Sequence, residues 1–339
     1  MITRFTLLRW IGLLIILAVS FFMFLFLVHK EQAMLMQAPQ VQIRIAVSQT
    51  PLSSPFLVAK QLDIFAKYGL DVTLVPCYGG IDCIRGLFAG TADYATASES
   101  VVMFESFKRK DFMVLSSFVQ SDNDLKLLSL QRTGIRQMSD LIGKTVGVVE
   151  ASASEFYLDA LLLVHNLTHD QIKRVYLKPQ ALTTALFDGQ VDAISVWEPY
   201  GYQAASQSET PLIDLSLSGV YQLSFNLLMM RSFYIQKQET HQRLLQALAD
   251  TIDWIHQHPE SSRSIVGKAL SIKKIQLETT WKDYVFQLSL GNALLSNLQL
   301  QARWAIDTGI VNGALPDYRK MLASDALERL RDQQGGVLP

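Results

Sequence analysis

One short pattern occurs twice in this sequence, and it restricts the possible folds more than any other feature. Residues 87–94 read LFAGTADY, and residues 186–193 read LFDGQVDA. In both copies Leu-Phe is followed by a glycine and, three residues later, by an aspartate, and the two copies are 99 residues apart. A glycine after an apolar helical segment is typical of a helix end, and the residues after the aspartate favour a strand. We therefore expect two copies of one helix–turn–strand unit.

The elements predicted around the two copies follow the same order. In the first half, the expected strands and helices are a strand at 41–47, a helix from Ser54 to Gly69, a strand at 70–75, a helix at 81–89 and a strand from Ala92. In the second half they are strands at 144–149, 172–178 and 191–196, with helices at 155–165 and 180–188 between them. This alternation predicts a mostly parallel sheet with helices on both faces, and two copies predict two such sheets.

Two sheets in one chain imply two α/β lobes, and we expect two crossing strands, near 125–130 and 225–230, to join them. Lobe 1 is then predicted to comprise residues 41–125 and 226–339, and lobe 2 residues 126–225. Helical spacing of apolar residues predicts further helices that pack on lobe 1, at 241–257, 277–289, 298–309 and 316–332.

The N-terminus has the properties of a membrane segment. Residues 10–28 are nineteen consecutive uncharged, mostly apolar residues, preceded by Arg4 and Arg9. As a helix they would cover about 29 Å, close to the thickness of the hydrocarbon core of a bilayer. We predict a cytoplasmic N-terminus at 1–9, a transmembrane anchor at 10–28 and a linker at 29–40, although a cleaved signal segment is the alternative. In both cases the remainder of the chain is extracytoplasmic.

Charge and motifs exclude several classes of function. Of 30 basic and 31 acidic residues, 27 and 30 remain after residue 40, so nucleic acid is not an expected partner. The two cysteines, Cys77 and Cys83, could form a disulfide in an oxidising compartment or remain free thiols. Neither a metal site nor a cofactor is predicted, and the sequence has no G-x-S-x-G, P-loop or H-E-x-x-H motif that would indicate an enzyme.

Three motifs together carry a resemblance to a known family. They are LDIFAKYGLDVTLVP at 62–76, GKTVGV at 143–148 before a serine-rich helix start, and WEPY at 197–200 after a strand. The chain resembles the periplasmic substrate-binding proteins of nitrate, sulfonate and taurine importers, which are related to thiamine-pyrimidine binders and synthases. The resemblance covers roughly residues 43–320 and implies a type II periplasmic-binding-protein clamshell that closes on a small molecule and delivers it to an ABC permease.

Two other functions remain open. The same clamshell could report its occupancy to a separate signalling partner in the membrane, or it could be an enzyme, by analogy with the pyrimidine synthases of this fold. Genes for a permease and an ATPase beside this one would favour import.

Candidate ligand-binding residues follow from the position of ligands in such sheets, beyond the carboxyl ends of the strands. We predict that the following residues contact ligand: Gln49, Thr50, Tyr78, Ser98, Ser100, Ser152, Ser154, Trp197 and Asn226. For Ser152 the alternative is a helix cap with Glu155, and for Trp197 it is core packing. These residue types fit a small anion, a sulfonated organic acid or an aromatic heterocycle equally well.

Overall fold

The computed structural model describes residues 40–333, together with Ser20, Phe21 and Met23. The predicted cytoplasmic segment at 1–9 and almost all of the predicted anchor at 10–28 and linker at 29–40 lie outside the described residues. In the part of the chain that is described, no helix is long and apolar enough to cross a membrane.

Strands and helices alternate through the first two thirds of the described chain. The strands are β1 Val41–Ser48, β2 Leu70–Cys77, β3 Tyr94–Ser98, β4 Phe112–Ser121, β5 Leu125–Leu130, β6 Thr145–Val148, β7 Lys173–Tyr176, β8 Ala193–Trp197, β9 Leu212–Asp214, β10 Leu223–Met230 and β11 Val285–Ser289. The helices are α1 Ser54–Gln61, α2 Ile64–Lys67, α3 Gly80–Phe88, α4 Glu99–Lys108, α5 Ala153–Val164, α6 Pro179–Phe187, α7 Tyr200–Gln207, α8 Arg231–Gln236, α9 Gln238–Gln257, α10 Pro259–Leu270, α11 Lys274–Thr280, α12 Asn292–Asp307 and α13 Ser324–Gln333.

The strands form two sheets of the same design. The first has the order β11-β4-β10-β3-β1-β2, and the second has the order β7-β6-β8-β5-β9. In each sheet three strands are parallel, β2-β1-β3 in the first and β7-β6-β8 in the second. An antiparallel strand follows in each, β10 beside β3 and β5 beside β8. The predicted duplication therefore extends to the order and direction of the strands.

The chain passes between the two sheets twice, and each passage leads into the strand that lies antiparallel to the three parallel ones. The chain leaves the first sheet after β4 and enters the second as β5, and it returns from β9 to β10. The predicted lobe boundaries, after residue 125 and before 226, fall inside β5 and β10, because Leu125 pairs with Trp197 and Phe225 pairs with Ser98. Between the two sheets the chain runs through the short segments 122–124 and 215–222.

The repeated glycine and aspartate have the same structural role in both sheets. Gly90 and Gly189 end α3 and α6 with φ of 70° and 72°, a left-handed conformation that glycine adopts without steric cost. The Asp93 carboxylate accepts a hydrogen bond from the Arg44 N–H at 2.7 Å. Likewise, the Asp192 carboxylate accepts one from the Thr145 N–H at 2.9 Å. Each aspartate thus fixes the start of one parallel strand against its neighbour.

The helix predicted at 277–289 is wrong in its second half. Helix α11 ends at Thr280, and β11 follows as an edge strand antiparallel to β4. Phe286 and Leu288 are buried whereas Val285 is exposed, so the burial alternates with the period of a strand. Pairing with β4 overrides the helical spacing seen in the sequence.

Candidate functional site

A cavity of about 560 Å³ lies between the two sheets. Its lining includes residues at or just after the carboxyl ends of all six parallel strands. They are Ser48 at the end of β1 and Thr50 after it, Tyr78 after β2, Ser98 at the end of β3, Val149 and Ser152 after β6, Tyr176 and Lys178 at and after β7, and Trp197 at the end of β8. This is where α/β sheets of this type bind ligands, and the volume suits a small molecule.

Two hydroxyl groups on the first-sheet side of the cavity have free hydrogen-bonding capacity. The side-chain oxygens of Ser48 and Thr50 are buried and have no hydrogen-bond partner within the described residues. The backbone of Ser48 is held in place, since its N–H donates to Thr96 Oγ1 at 3.0 Å. A buried hydroxyl without a partner is costly. A polar ligand in the cavity would supply the missing partners.

A disulfide closes the loop that forms another wall of the cavity. Cys77 ends β2 and Cys83 lies in the first turns of α3, and they are bonded with their Cα atoms 5.3 Å apart. The five residues between them, Tyr78–Asp82, all line the cavity. Of the two alternatives left by the sequence, the structure has the disulfide.

Replacing both cysteines with serine should lower the free energy of unfolding by about 2 kcal/mol, since a short closed loop restricts the unfolded chain by roughly that amount. Because the loop is a wall of the cavity, ligand affinity should fall as well. Chemical denaturation of the oxidised wild type and the double variant measures the first effect. Reduced wild type should behave like the double variant, and equal stability of all three forms would show that the bridge does not restrain this loop.

The same loop contacts the opposite side of the cavity. Gly79 has a φ of 84°, and a Cβ atom built on it would lie 3.3 Å from Cζ2 of Trp197. A Cβ on Gly80 would lie 2.9 Å from the Cα of Ala97, so both glycines are needed for close approach. Trp197 is half-buried and belongs to the second sheet, so its indole spans the cleft to the first.

Hydrogen bonds to Glu198 and to Pro199 fix the turn that follows Trp197. The Glu198–Pro199 peptide bond is cis, and the buried Glu198 carboxylate accepts a hydrogen bond from the Tyr202 N–H at 3.0 Å. The Pro199 carbonyl accepts one from Nε2 of Gln276 at 3.2 Å, which ties the turn to α11. Residues 198 and 199 therefore fix the position of the tryptophan.

Helix α5 begins at the cavity with an internally capped N-terminus. The Ser152 hydroxyl accepts from the Ser154 N–H at 3.2 Å and donates to the Val149 carbonyl at 2.7 Å. Glu155 accepts from the Ala151 N–H at 2.8 Å. Ser152 lines the cavity, but its hydroxyl is largely committed to the cap; its backbone donor is Ser154 rather than Glu155, so the pairing differs from the capping box that the sequence offered as the alternative.

Of the ionisable side chains among the described residues that line the cavity, only that of Asp124 is buried. Its Oδ1 accepts a hydrogen bond from the Tyr284 hydroxyl at 3.0 Å, while Oδ2 has no partner within the described residues. Burial, together with the nearby Glu198, raises the pKa of Asp124 to about 8. The other charged lining residues are exposed: Asp82, Arg85, Glu150 and Lys178.

Comparison with known proteins identifies the family of this chain. The sequence pattern of the family described as NMT1/THI5 like matches residues 50–262, which is more than half of the chain. The chain belongs to the NMT1/THI5-like family. This confirms the resemblance that the three sequence motifs predicted.

Several known proteins are similar to this NMT1/THI5-like chain in sequence or in fold. A Bacillus subtilis (strain 168) protein named "putative aliphatic sulfonates-binding protein" is 24% identical over 250 residues, which cover 71% of this chain and 74% of that protein. The alkanesulfonate-binding protein SsuA from Xanthomonas axonopodis pv. citri, bound to MOPS, superposes with a TM-score of 0.72 at 19% identity, covering 85% of this chain and 98% of that one. The desulfurization enzyme DSZB superposes with a TM-score of 0.66 at 14% identity, covering 87% and 100%. The predicted α/β periplasmic-binding-protein fold with two sheets is confirmed.

The structure of this NMT1/THI5-like protein brings together five of the nine predicted site residues. Those that line the cavity are Thr50, Tyr78, Ser98, Ser152 and Trp197. The other four lie outside its lining and bond within the protein. Ser100 Oγ lies 3.1 Å from the Tyr221 hydroxyl, and Ser154 Oγ accepts from the Val149 N–H. Gln49 donates to the Val47 carbonyl, and Asn226 donates to the carbonyls of Ala97 and Ser224.

Ser48 and Asp124 also line the cavity, although neither is among the nine residues predicted from the sequence. Ser48 is the last residue of β1, so the strand-end rule could have included it. The only signal for Asp124 is an acidic residue between two apolar strands, at the point where the chain crosses between sheets. That signal becomes specific only once burial of the side chain is known.

Proposed function

We propose that this protein is an extracytoplasmic solute-binding protein that closes on a small polar ligand and delivers it to an ABC permease. The observation that carries this proposal is the cavity, to which all six parallel strands of the two sheets contribute residues. Buried hydroxyls of Ser48 and Thr50 without partners support a polar ligand. The sulfonate-binding names of the Bacillus and Xanthomonas proteins support the same role.

Closure about the two crossings would be the mechanism. We propose that the moving units are the predicted lobes, with their boundaries placed at the crossings 122–124 and 215–222. Ligand contacts made from both sheets at once exist only when the lobes meet, so they favour the closed form. Moving such an equilibrium from mostly open to mostly closed takes about 5.5 kcal/mol of differential binding, which several hydrogen bonds to a small ligand can supply.

We propose that residues 10–28 tether the protein to the outer face of the inner membrane. The nineteen apolar residues and the two preceding arginines support this orientation. Retention of a 38.1 kDa chain in alkaline-washed membranes tests the tether, whereas a shorter soluble form would indicate cleavage. Co-purification with a permease, rather than with a membrane signalling protein, tests the partner.

Binding rather than catalysis is the proposed role of the cleft. Both cysteines are in the disulfide, and neither a thiol nor a histidine is among the described residues that line the cavity. The DSZB superposition concerns the fold alone. Turnover of a bound ligand by the purified protein would contradict this part of the proposal.

Replacing Trp197 with alanine should weaken ligand affinity at least tenfold, because the indole forms a wall of the cavity and spans it to Gly79. Isothermal titration with any ligand that stabilises the wild type measures the change. A Trp197→Phe variant is the matched control, and it should retain most of the affinity because it keeps an aromatic face. Unchanged affinity in a folded Trp197→Ala variant would remove this residue from the site.

A further inference from the structure

A buried carboxyl group, that of Asp124, lines the cavity, and such a group disfavours an anionic ligand. Asp124 is 1% exposed and lies in the crossing segment 122–124. Two hydrogen bonds fix its position, one from each side of the cleft. Oδ1 accepts from the hydroxyl of Tyr284, which precedes β11 of the first sheet, and the backbone carbonyl accepts at 3.0 Å from the N–H of Glu198, which follows β8 of the second sheet. Oδ2 is a buried oxygen without a partner on a residue that lines the cavity. The ligand is the group that could complete its hydrogen bonding.

The cavity offers little buried positive charge to an anion. Its two basic lining residues, Arg85 and Lys178, are exposed, and Arg85 already lies 3.7 Å from Asp82. Helix N-termini can also attract anions. Among the described helices, α3, α4, α5 and α6 begin at the cavity. All of these except α6 carry an acidic residue in their own first turn. These are Asp82 in α3, Glu99 in α4 and Glu155 in α5.

The charged groups around Asp124 are also mostly acidic. Glu198 from the turn after β8 and Asp283 before β11 both act on its ionisation, and Lys126 from β5 opposes them. The Lys126 ammonium donates to Oδ1 of Asn123 at 2.7 Å, so it is already engaged. A cation placed at Oδ2 would relieve the repulsion between these carboxylates, whereas an anion would add to it.

We propose that the cleft recognises a nitrogen cation of its ligand, an ammonium or amidinium group, which donates a hydrogen bond to Oδ2 of Asp124. This inference rests on the proposed solute-binding function and specifies its ligand. A charge-assisted hydrogen bond of this kind is among the stronger ones in proteins. The hydroxyls of Ser48 and Thr50 would accept from or donate to the remaining polar atoms of the ligand.

Isothermal titration of the full chain with matched probes tests this inference. The probes are benzamidine and agmatine, which stay cationic up to pH 9, against benzamide, benzenesulfonate and ethanesulfonate, which carry no cation. We expect heat of binding from a cationic probe only, with affinity that rises from pH 6 to pH 9 as Asp124 ionises.

Asp124→Asn should weaken binding of the cationic probe at least tenfold at pH 8 and remove the rise with pH. Asp253→Asn is the matched control, because it makes the same change at an exposed aspartate of α9 outside the cavity lining, and it should change affinity less than twofold. Circular dichroism shows whether each variant is folded. Where Asp124→Asn does not fold, the pH dependence of the wild type decides.

Binding of the sulfonates alone, weakening above pH 8, would overturn the inference and leave the solute-binding proposal intact. A cationic probe that binds with no change between pH 6 and pH 9 would overturn it as well. No binding by any probe would count against the nitrogen cation and, across both ligand classes, against the solute-binding proposal.

Discussion

Replacing Arg174 with methionine should lower the free energy of unfolding by about 3 to 5 kcal/mol. Arg174 lies in β7 with its side chain 11% exposed, and it pairs with two carboxylates of α5 that are more buried still. Its Nη1 lies 3.4 Å from Oε1 of Glu155, and its Nη2 pairs with Asp159. The variant keeps the unbranched aliphatic part of the side chain and leaves two buried carboxylates without their cation.

One of the carboxylates that pair with Arg174 also bonds to α12, which lies outside the second sheet and its helices. Loss of Arg174 should therefore destabilise contacts beyond α5 and β7. Nε1 of Trp304, in α12, donates to the same Asp159 at 3.1 Å, and the Tyr176 hydroxyl donates to Glu155 at 2.7 Å. Burial already raises the pKa of Asp159, although Arg174 opposes this. Without the arginine Asp159 would protonate more readily, so the destabilisation should shrink as the pH falls from 7 to 5.

Urea denaturation followed by circular dichroism measures the loss. Arg85→Met is the matched control, since the Arg85–Asp82 pair is 73% and 50% exposed and should be worth no more than about 1 kcal/mol. A loss below about 1 kcal/mol in Arg174→Met would mean that the buried pair does not hold α5 against β7.

The second large effect is a dependence of stability on pH that comes from Asp124. Its pKa is about 8 in the folded protein and near 3.9 in an unfolded chain. Between these values the folded state keeps a proton that the unfolded state has lost. Asp124 should therefore lower the free energy of unfolding by about 1.4 kcal/mol per pH unit through this window, reaching its full penalty above pH 8.

Comparison of the wild type with Asp124→Asn isolates this contribution, because asparagine cannot ionise. Between pH 5 and pH 8 the wild type should lose up to about 4 kcal/mol more stability than the variant. Denaturant midpoints measured at each pH give the two curves. Parallel curves would show that Asp124 titrates as an ordinary exposed carboxylate, and this would also weaken the case for its role in the cleft.

Much of the fold could be predicted because the features that determine it are local and repeated. Left-handed glycines at 90 and 189 and the aspartates at 93 and 192 act on neighbouring residues or on one adjacent strand. The same pattern therefore produces the same unit twice. By contrast, β11 exists because β4 offers it a free edge, and no local pattern shows that edge.

The candidate site was predictable to the level of the loops but not of individual side chains. Tyr78 and Trp197, which the strand-end rule selects, both line the cavity. Ser98 and Ser100 are only two residues apart, yet the first caps α4 at the cavity and the second bonds to Tyr221 inside the protein. Such differences depend on the direction of each side chain, which the sequence alone does not give.

The central claim, that the cleft binds a small polar solute, is tested most directly by thermal unfolding of the purified full chain in detergent with a panel of ligands. The panel comprises nitrate, bicarbonate, taurine, alkanesulfonates, aminopyrimidines, riboflavin-like heterocycles and the amidinium probes. A ligand at about one hundred times its dissociation constant adds nearly 3 kcal/mol to stability, which raises the melting temperature by several degrees. We expect one chemical class to do this, and Trp197→Ala to reduce the shift. A well-folded chain that responds to none of these classes would contradict the claim.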